Sequence, residues 1–165
     1  MRELNTEVER VISAPAGEIW AYRLDFLHLP EYNAAVEGIE RVDDGGPDQV
    51  GATYRFDLVT GSHSTAIELR VTEAVPGRLV AIDMDGVISA RERFSVSPVA
   101  GAEAGTGPCR AAIALTLLIP DGFPASGDAG LLTNGEQQVA GELDRMVELL
   151  GAGTAVASRG GHDRG

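Results

Sequence analysis

The sequence predicts an α+β fold: a curved antiparallel sheet of about seven strands wrapped around one long C-terminal helix, with two short helices after the first strand. Three observations carry this. Between Ala129 and Leu150, the residues Leu132, Val139, Leu143, Met146, Val147 and Leu150 recur at helical spacing and make one apolar stripe. From Val36 to Ile119, apolar and polar residues alternate in short runs divided by Gly, Pro and Asp turns, the pattern of consecutive strands. A single amphipathic helix after such a run needs a sheet to lie on, and short connections make that sheet antiparallel.

In chain order, Thr6–Ile12 reads as the first strand, closed by Ser13, Ala14 and Pro15. Pro15 suits a helix start and Glu18 favours the dipole of the first turn, so Ala16–Leu24 is the first helix. Pro30 stops its continuation, and residues 27–33 supply a second short turn of helix. Strands follow at Val36–Val42, Thr53–Val59, Thr65–Val75, Leu79–Asp85, Val87–Val96 and Cys109–Ile119. Gly45-Gly46 and the stretch from Gly101 to Gly107 read as hairpin tips; no helix follows them directly, so they match no phosphate loop.

The long helix has gaps. Gly135 interrupts its stripe, and Glu136 and Gln138 lie at the apolar edge. Either the helix is thin there because it roofs a cavity, or its first turns fray at Asn134-Gly135. Gly151 and Gly153 follow the last periodic residue, where helices commonly stop. Residues 1–150 therefore read as one domain, and the Gly-rich tail 151–165 as loose and dispensable.

Composition narrows the function. The 165 residues, 44% apolar, can bury a proper core without staples. A net charge of −12 with no basic cluster argues against a nucleic-acid partner. Cys109 is the one cysteine, which excludes an intrachain disulfide and any cysteine-rich metal or iron–sulfur site. His28, His63 and His162 are scattered and have no metal-ligand spacing. No metal or other cofactor is expected. The opening, MRELNTEVER, is charged from the start, and no apolar run reaches the length of a membrane span. A cytoplasmic monomer or homodimer is the expectation.

Several segments resemble one superfamily. SAPAGEIWAYRLDF is similar to the strand–helix opening of the START-like, or SRPBCC, proteins. LPEYNAAVEGIERVDDGGPDQVGATYRF resembles their second helix and following hairpin. VTEAVPGRLVAIDMDG, RERFSVSPV and CRAAIALTLLIP fit their last strands. The resemblance runs from Glu7 to about Leu150. It implies a helix-grip fold with a deep cavity between the sheet and the C-terminal helix, and a hydrophobic small-molecule ligand without fixed chemistry. Members include polyketide cyclases and aromatases, lipid-transfer proteins, hormone receptors and allergens.

Within that frame, strand parity puts Glu92 on the inward face of its strand with Ala90, Phe94 and Val96. An inward carboxylate is paired, hydrated or used. It is either a general acid or base, or the partner of an arginine at the cavity mouth, or a sign of a register break near Gly86. Tyr32 and Asn33 end the second helix, which the resemblance places over the cavity entrance. Tyr32 then donates to a ligand oxygen, oriented by Asn33, or the two residues merely pack and cap. Tyr54 joins Glu92 and Tyr32 as a candidate catalytic residue, with Phe56 beside it on the sheet wall. The same parity and the helix stripe give Leu69, Ile82, Phe94, Leu115, Leu132, Val139 and Leu143 as candidate ligand contacts. Trp20 reads as structural, and Cys109 as a small buried residue. Three functions fit: a polyketide cyclase/dehydrase-like enzyme working by acid–base steps, a non-enzymatic carrier of a lipid, quinone or natural product, and a chaperone-like interaction module. An inward polar set favours the first, an all-apolar cavity the second, and a filled cavity with an exposed apolar patch the third.

Overall fold

The structure, a computed structural model, describes residues 1–43, 49–101 and 106–151. The turn at Gly45-Gly46, the middle of the Gly/Ala loop, and the tail with His162 lie outside the described residues. The elements are β1 (Arg2–Ile12), α1 (Ala16–Leu24), α2 (Leu29–Tyr32), β2 (Val36–Arg41), β3 (Thr53–Thr60), β4 (His63–Val75), β5 (Leu79–Asp85), β6 (Ser89–Pro98), β7 (Cys109–Ile119) and α3 (Asp128–Met146). A 3-10 turn, Phe26–His28, leads into α2, and a π-helical turn, Val147–Gly151, closes α3.

The strands form one sheet in the order β1-β7-β6-β5-β4-β3-β2, every neighbour antiparallel. β2 to β7 are a meander, and β1 returns to pair with the last strand. α3 packs against β1 and β7, while α1 lies on β5 and β6. This is the helix-grip arrangement. Trp20 pins α1 down by donating from Nε1 to the Leu79 carbonyl at 2.8 Å. The start of α3 is fixed by Arg2, whose guanidinium grips both oxygens of Asp128 at 2.9 and 2.7 Å. No helix among the described residues is long and apolar enough to cross a membrane.

Local pattern misplaced some element ends, for tertiary reasons. β1 begins at Arg2 rather than Thr6, because it pairs with β7 residue for residue from Arg2–Ile119 to Ile12–Cys109. Its length is set by its partner, not by its own alternation. β6 begins at Ser89 rather than Val87, since residues 86–88 make the bend from β5. Gly151 is buried against Ile12 and Ser13 and so belongs to the packed body rather than to a tail.

The helix does not fray at Asn134-Gly135; α3 is continuous from Asp128. Gly135 has a different purpose. A Cβ there would lie 2.9 Å from a δ-methyl of Leu115 and 3.6 Å from Leu117, so the missing side chain lets α3 approach β7 closely. The atom in the way is the end of a flexible side chain. Gly135→Ala is therefore expected to change stability by no more than about 1 kcal/mol, because the better helix propensity of Ala offsets the displaced methyl. Gly135→Leu is expected to cost about 1–3 kcal/mol through overpacking. Thermal unfolding of the two variants checks both, and a loss with Ala as large as that with Leu would refute the account.

Candidate functional site

A cavity of about 240 Å³ lies between the sheet and α3. Its floor is apolar: Phe56 and Leu58 from β3, Ile67 and Leu69 from β4, Ile82 and Met84 from β5, Ala90 from β6, and Leu115 and Leu117 from β7. Phe26, Leu29 and Val36 close one side. The roof is different. Leu131, Asn134, Gly135, Gln138, Val139 and Glu142 of α3 face in. Asn134, Gln138 and Glu142 are four residues apart and form a polar ridge on one helix face. Along that ridge Asn134 is exposed, Gln138 half-buried and Glu142 buried, so the cavity deepens toward the C-terminal end of α3.

At the deep end sits a buried charge cluster. Arg23 of α1 is 1% exposed, and its side chain is aimed into the core because position 23 shares a helix face with Ile19. Its Nη2 donates to Glu92 Oε2 at 3.0 Å and its Nη1 to Glu142 Oε1 at 2.9 Å. Glu142 Oε2 accepts from Asn33 Nδ2 at 2.8 Å, and the same Nδ2 reaches Gln138 Oε1 at 3.4 Å. Asn33 Oδ1 in turn accepts from the Ala35 amide. The guanidinium carbon lies 5.2 to 5.5 Å from the ring centroids of Phe26, Tyr32 and Phe94. A planar fork that bridges two carboxylates while its faces meet aromatic rings is a task for Arg and not Lys.

The two carboxylates differ. Glu142 has a hydrogen-bond donor on each oxygen. Among the described residues Glu92 has a donor on Oε2 only; Oε1 takes no hydrogen bond from them and is not sealed, so it opens onto the cavity. Burial pushes the Glu92 carboxyl up from 4.5 to about 7, Arg23 opposes this, and the nearby Glu142 charge adds to it. One guanidinium facing two carboxylates leaves an excess negative charge, and a proton on Glu92 relieves it. Glu92 thus combines an open oxygen with a carboxyl that burial and the Glu142 charge raise above the ordinary range.

The sequence-based candidates divide. Glu92 lines the cavity, and so do Asn33, Phe56, Leu69, Ile82, Leu115 and Val139. Tyr32 and Tyr54 do not. The short α2 turns Tyr32 inward beneath Arg23, where its hydroxyl is sealed and finds no partner. Tyr54 packs against Phe26, ring centroids 5.8 Å apart, and it is Phe26 that fronts the cavity. Phe94 lies against the Arg23 guanidinium, and Leu143 is fully buried in the core. Leu132 points about 100° around the helix from Leu131, which takes its place on the wall. The arginine partner of Glu92 is buried rather than at a mouth. Arg23 and Glu142 were not among the candidates, although the spacing carried a signal. Glu142 is three residues after Val139 and four before Met146, on the apolar stripe itself. Among the described residues no group of three or more His, Cys, Asp or Glu is placed to hold a metal.

Glu142→Gln tests the division between the carboxylates. Gln keeps an acceptor for Arg23 but removes the charge beside Glu92. The Glu92 midpoint is expected to fall below its value of about 7, as read by carboxyl carbon NMR. In the unaltered protein, the raised folded pKa means that stability is lost as pH rises from about 4.5 through about 7. In Glu142→Gln that loss becomes smaller. An unmoved midpoint would show that Glu142 does not act on Glu92.

The chain compares with known proteins as follows. No curated protein matches it. Among solved structures it is similar to the Zhui aromatase/cyclase of Streptomyces sp. R1128, with 12% identity, TM-score 0.68, and coverage of 88% of this chain and 92% of that one. It is also similar to truncated norcoclaurine synthase of Thalictrum flavum, at 20% identity and TM-score 0.68 over 90% and 93% of the two chains. A START superfamily protein of Mycobacterium smegmatis gives 20% identity and TM-score 0.65 over 89% and 97%. At such identities these likenesses speak for the fold. A family model for polyketide cyclase/dehydrase and lipid transport proteins matches residues 3–151, and the chain with its seven-stranded sheet gripping α3 belongs to that family, within the START-like superfamily.

Proposed function

We propose that the protein is an acid–base enzyme of the cyclase/dehydrase type, acting on a compact carbonyl compound held between the sheet and α3. The single observation behind this reading is Glu92 Oε1, open to the cavity, on a carboxyl that burial pushes up toward about 7. A group that titrates near the working pH serves equally as base and as acid. The cavity size sets the substrate scale: about 150 Å³ holds a benzene ring, so about 240 Å³ takes one or two rings.

One carboxyl suffices for a dehydration. Glu92 as carboxylate removes the α-proton of a β-hydroxy ketone, and the C–H electron pair becomes the enolate. Gln138 Nε2, which has no partner among the described residues, donates to the enolate oxygen. The carbonyl re-forms, the electron pair closes the carbon–carbon double bond, and the β C–O bond breaks. The proton on Glu92 passes to the departing hydroxyl, which leaves as water, and the carboxylate is restored. The apolar walls contribute by holding the reacting conformer.

The mostly apolar lining also suits a carrier, which is the competing reading. The two are separated with 4-hydroxy-4-phenylbutan-2-one as probe, followed by the absorbance of its dehydration product. Glu92→Gln is expected to bind that product as tightly as the unaltered protein but to lower turnover at least ~10²-fold. Equal turnover by both proteins, or binding without any turnover, would sink the enzymatic reading and favour the carrier. A second readout concerns stability. Without an ionisable group at position 92, the variant is expected to lose the decline in stability between pH 4.5 and about 7.

A further inference from the structure

The polar groups around the cavity sort into those engaged by the fold and those free to meet a ligand. Arg23 has Nη1 and Nη2 on the two carboxylates, and its Nε is sealed from solvent without a partner. Asn33 is held at both ends of its amide, and Glu142 at both oxygens. What remains open is Glu92 Oε1, the Gln138 amide nitrogen and the Asn134 side chain. Among the described residues the cavity therefore presents no free cation. Its deep end carries two carboxylates against one guanidinium, and the chain around it has a net charge of −12.

We infer that this site takes neutral ligands with one oxygen-bearing edge, that it rejects anions of the same shape, and that Gln138 is the residue that reads the oxygen. The inference rests on the reading of the cavity as the ligand site, and it names the substrate class. An anionic ligand would bring its charge to Glu92 and Glu142 with no guanidinium arm left to receive it. A purely apolar ligand would leave the Gln138 N–H without an acceptor once the cavity is filled. A carbonyl or hydroxyl oxygen accepts from that N–H while the apolar body rests on the floor of Phe56, Leu69, Ile82 and Leu115.

The test uses three probes of matched shape at pH 7.5: 2-acetylnaphthalene, 2-naphthoate and 2-isopropylnaphthalene. Their affinities are measured by calorimetry or tryptophan fluorescence on the full chain and on Gln138→Leu. The ketone is expected to bind at least about tenfold more tightly than the carboxylate, since each missing or mismatched buried polar contact weakens binding by about that factor. It is expected to exceed the hydrocarbon by a similar factor. Gln138→Leu should abolish the preference for ketone over hydrocarbon and leave hydrocarbon binding intact, which also reports that the variant is folded. Naphthoate binding as well as the ketone would overturn the exclusion of anions. A ketone preference that survives Gln138→Leu would overturn the role of Gln138, and no binding of the ketone would overturn the whole inference. Turnover plays no part in these measurements. A failure of acid–base catalysis at Glu92 therefore leaves this inference standing, and its own failure appears as a wrong order of affinities.

Discussion

The constraint on which the rest depends is the charge of Arg23. A guanidinium 1% exposed in the core is costly unless every arm is met by a partner. Its two terminal nitrogens are met by Glu92 from β6 and Glu142 from α3, while Nε is sealed without a partner among the described residues, a cost the cluster carries. Asn33, the residue that ends α2, is tied to the same cluster through Glu142. One buried cation thus joins α1, α2, the middle of the sheet and the long helix at a single point. Buried ion clusters are weak sources of stability, because desolvation offsets most of the attraction. Their effect is to exclude alternatives. A slip of α3 by one residue would rotate Glu142 away and leave the guanidinium half unpaired, a loss far larger than any regained hydrophobic contact.

The same cluster divides the interior into packed core and cavity. On the far side of Arg23 the rings of Tyr32 and Phe94 lie against it. On the near side the cavity begins, and α3 lines it with Asn134 and Gln138 where a packing helix would place larger apolar side chains. Gly135 belongs to this geometry. It lets α3 approach Leu115 and Leu117 on β7, so that the helix packs on the β1–β7 side of the sheet and side chains of β3 to β6 face the cavity. The cavity exists because the helix is held close at one side and kept polar at the other.

Much of this was legible in the sequence, and the residues show why the rest was not. The period of two along Ala90, Glu92, Phe94 and Val96 placed Glu92 inside, and the sheet register agrees, with Glu92 between Ile82 and Leu115. Strand parity is a local rule that a paired sheet enforces. The partners of Glu92 were harder to see. Arg23 lies four residues after Ile19 and Glu142 three after Val139, both on buried faces. Reading stripes by apolar residues alone assigns charged residues to solvent, and so it discards a buried pair whose members are far apart in sequence. Tyr32 failed as a candidate for a related reason. The turn of a four-residue helix decides where its last side chain points, and neither spacing nor composition fixes that turn.

The two carboxylates also tie the protonation of Glu92 to what fills the cavity. The fold supplies Glu92 with one donor, from Arg23, and leaves Oε1 to whatever occupies the cavity. Solvent at Oε1 stabilises the carboxylate. An apolar ligand body that displaces that solvent removes the stabilisation and weakens the screening of the nearby Glu142 charge, and both changes favour the protonated acid. A ligand whose polarised C–H points at the same oxygen favours the carboxylate instead, since that C–H is attracted to the anion. Proton affinity at Glu92 is therefore set jointly by protein and ligand. Arg23 limits the rise, since its guanidinium opposes the burial and the Glu142 charge that push the Glu92 carboxyl up.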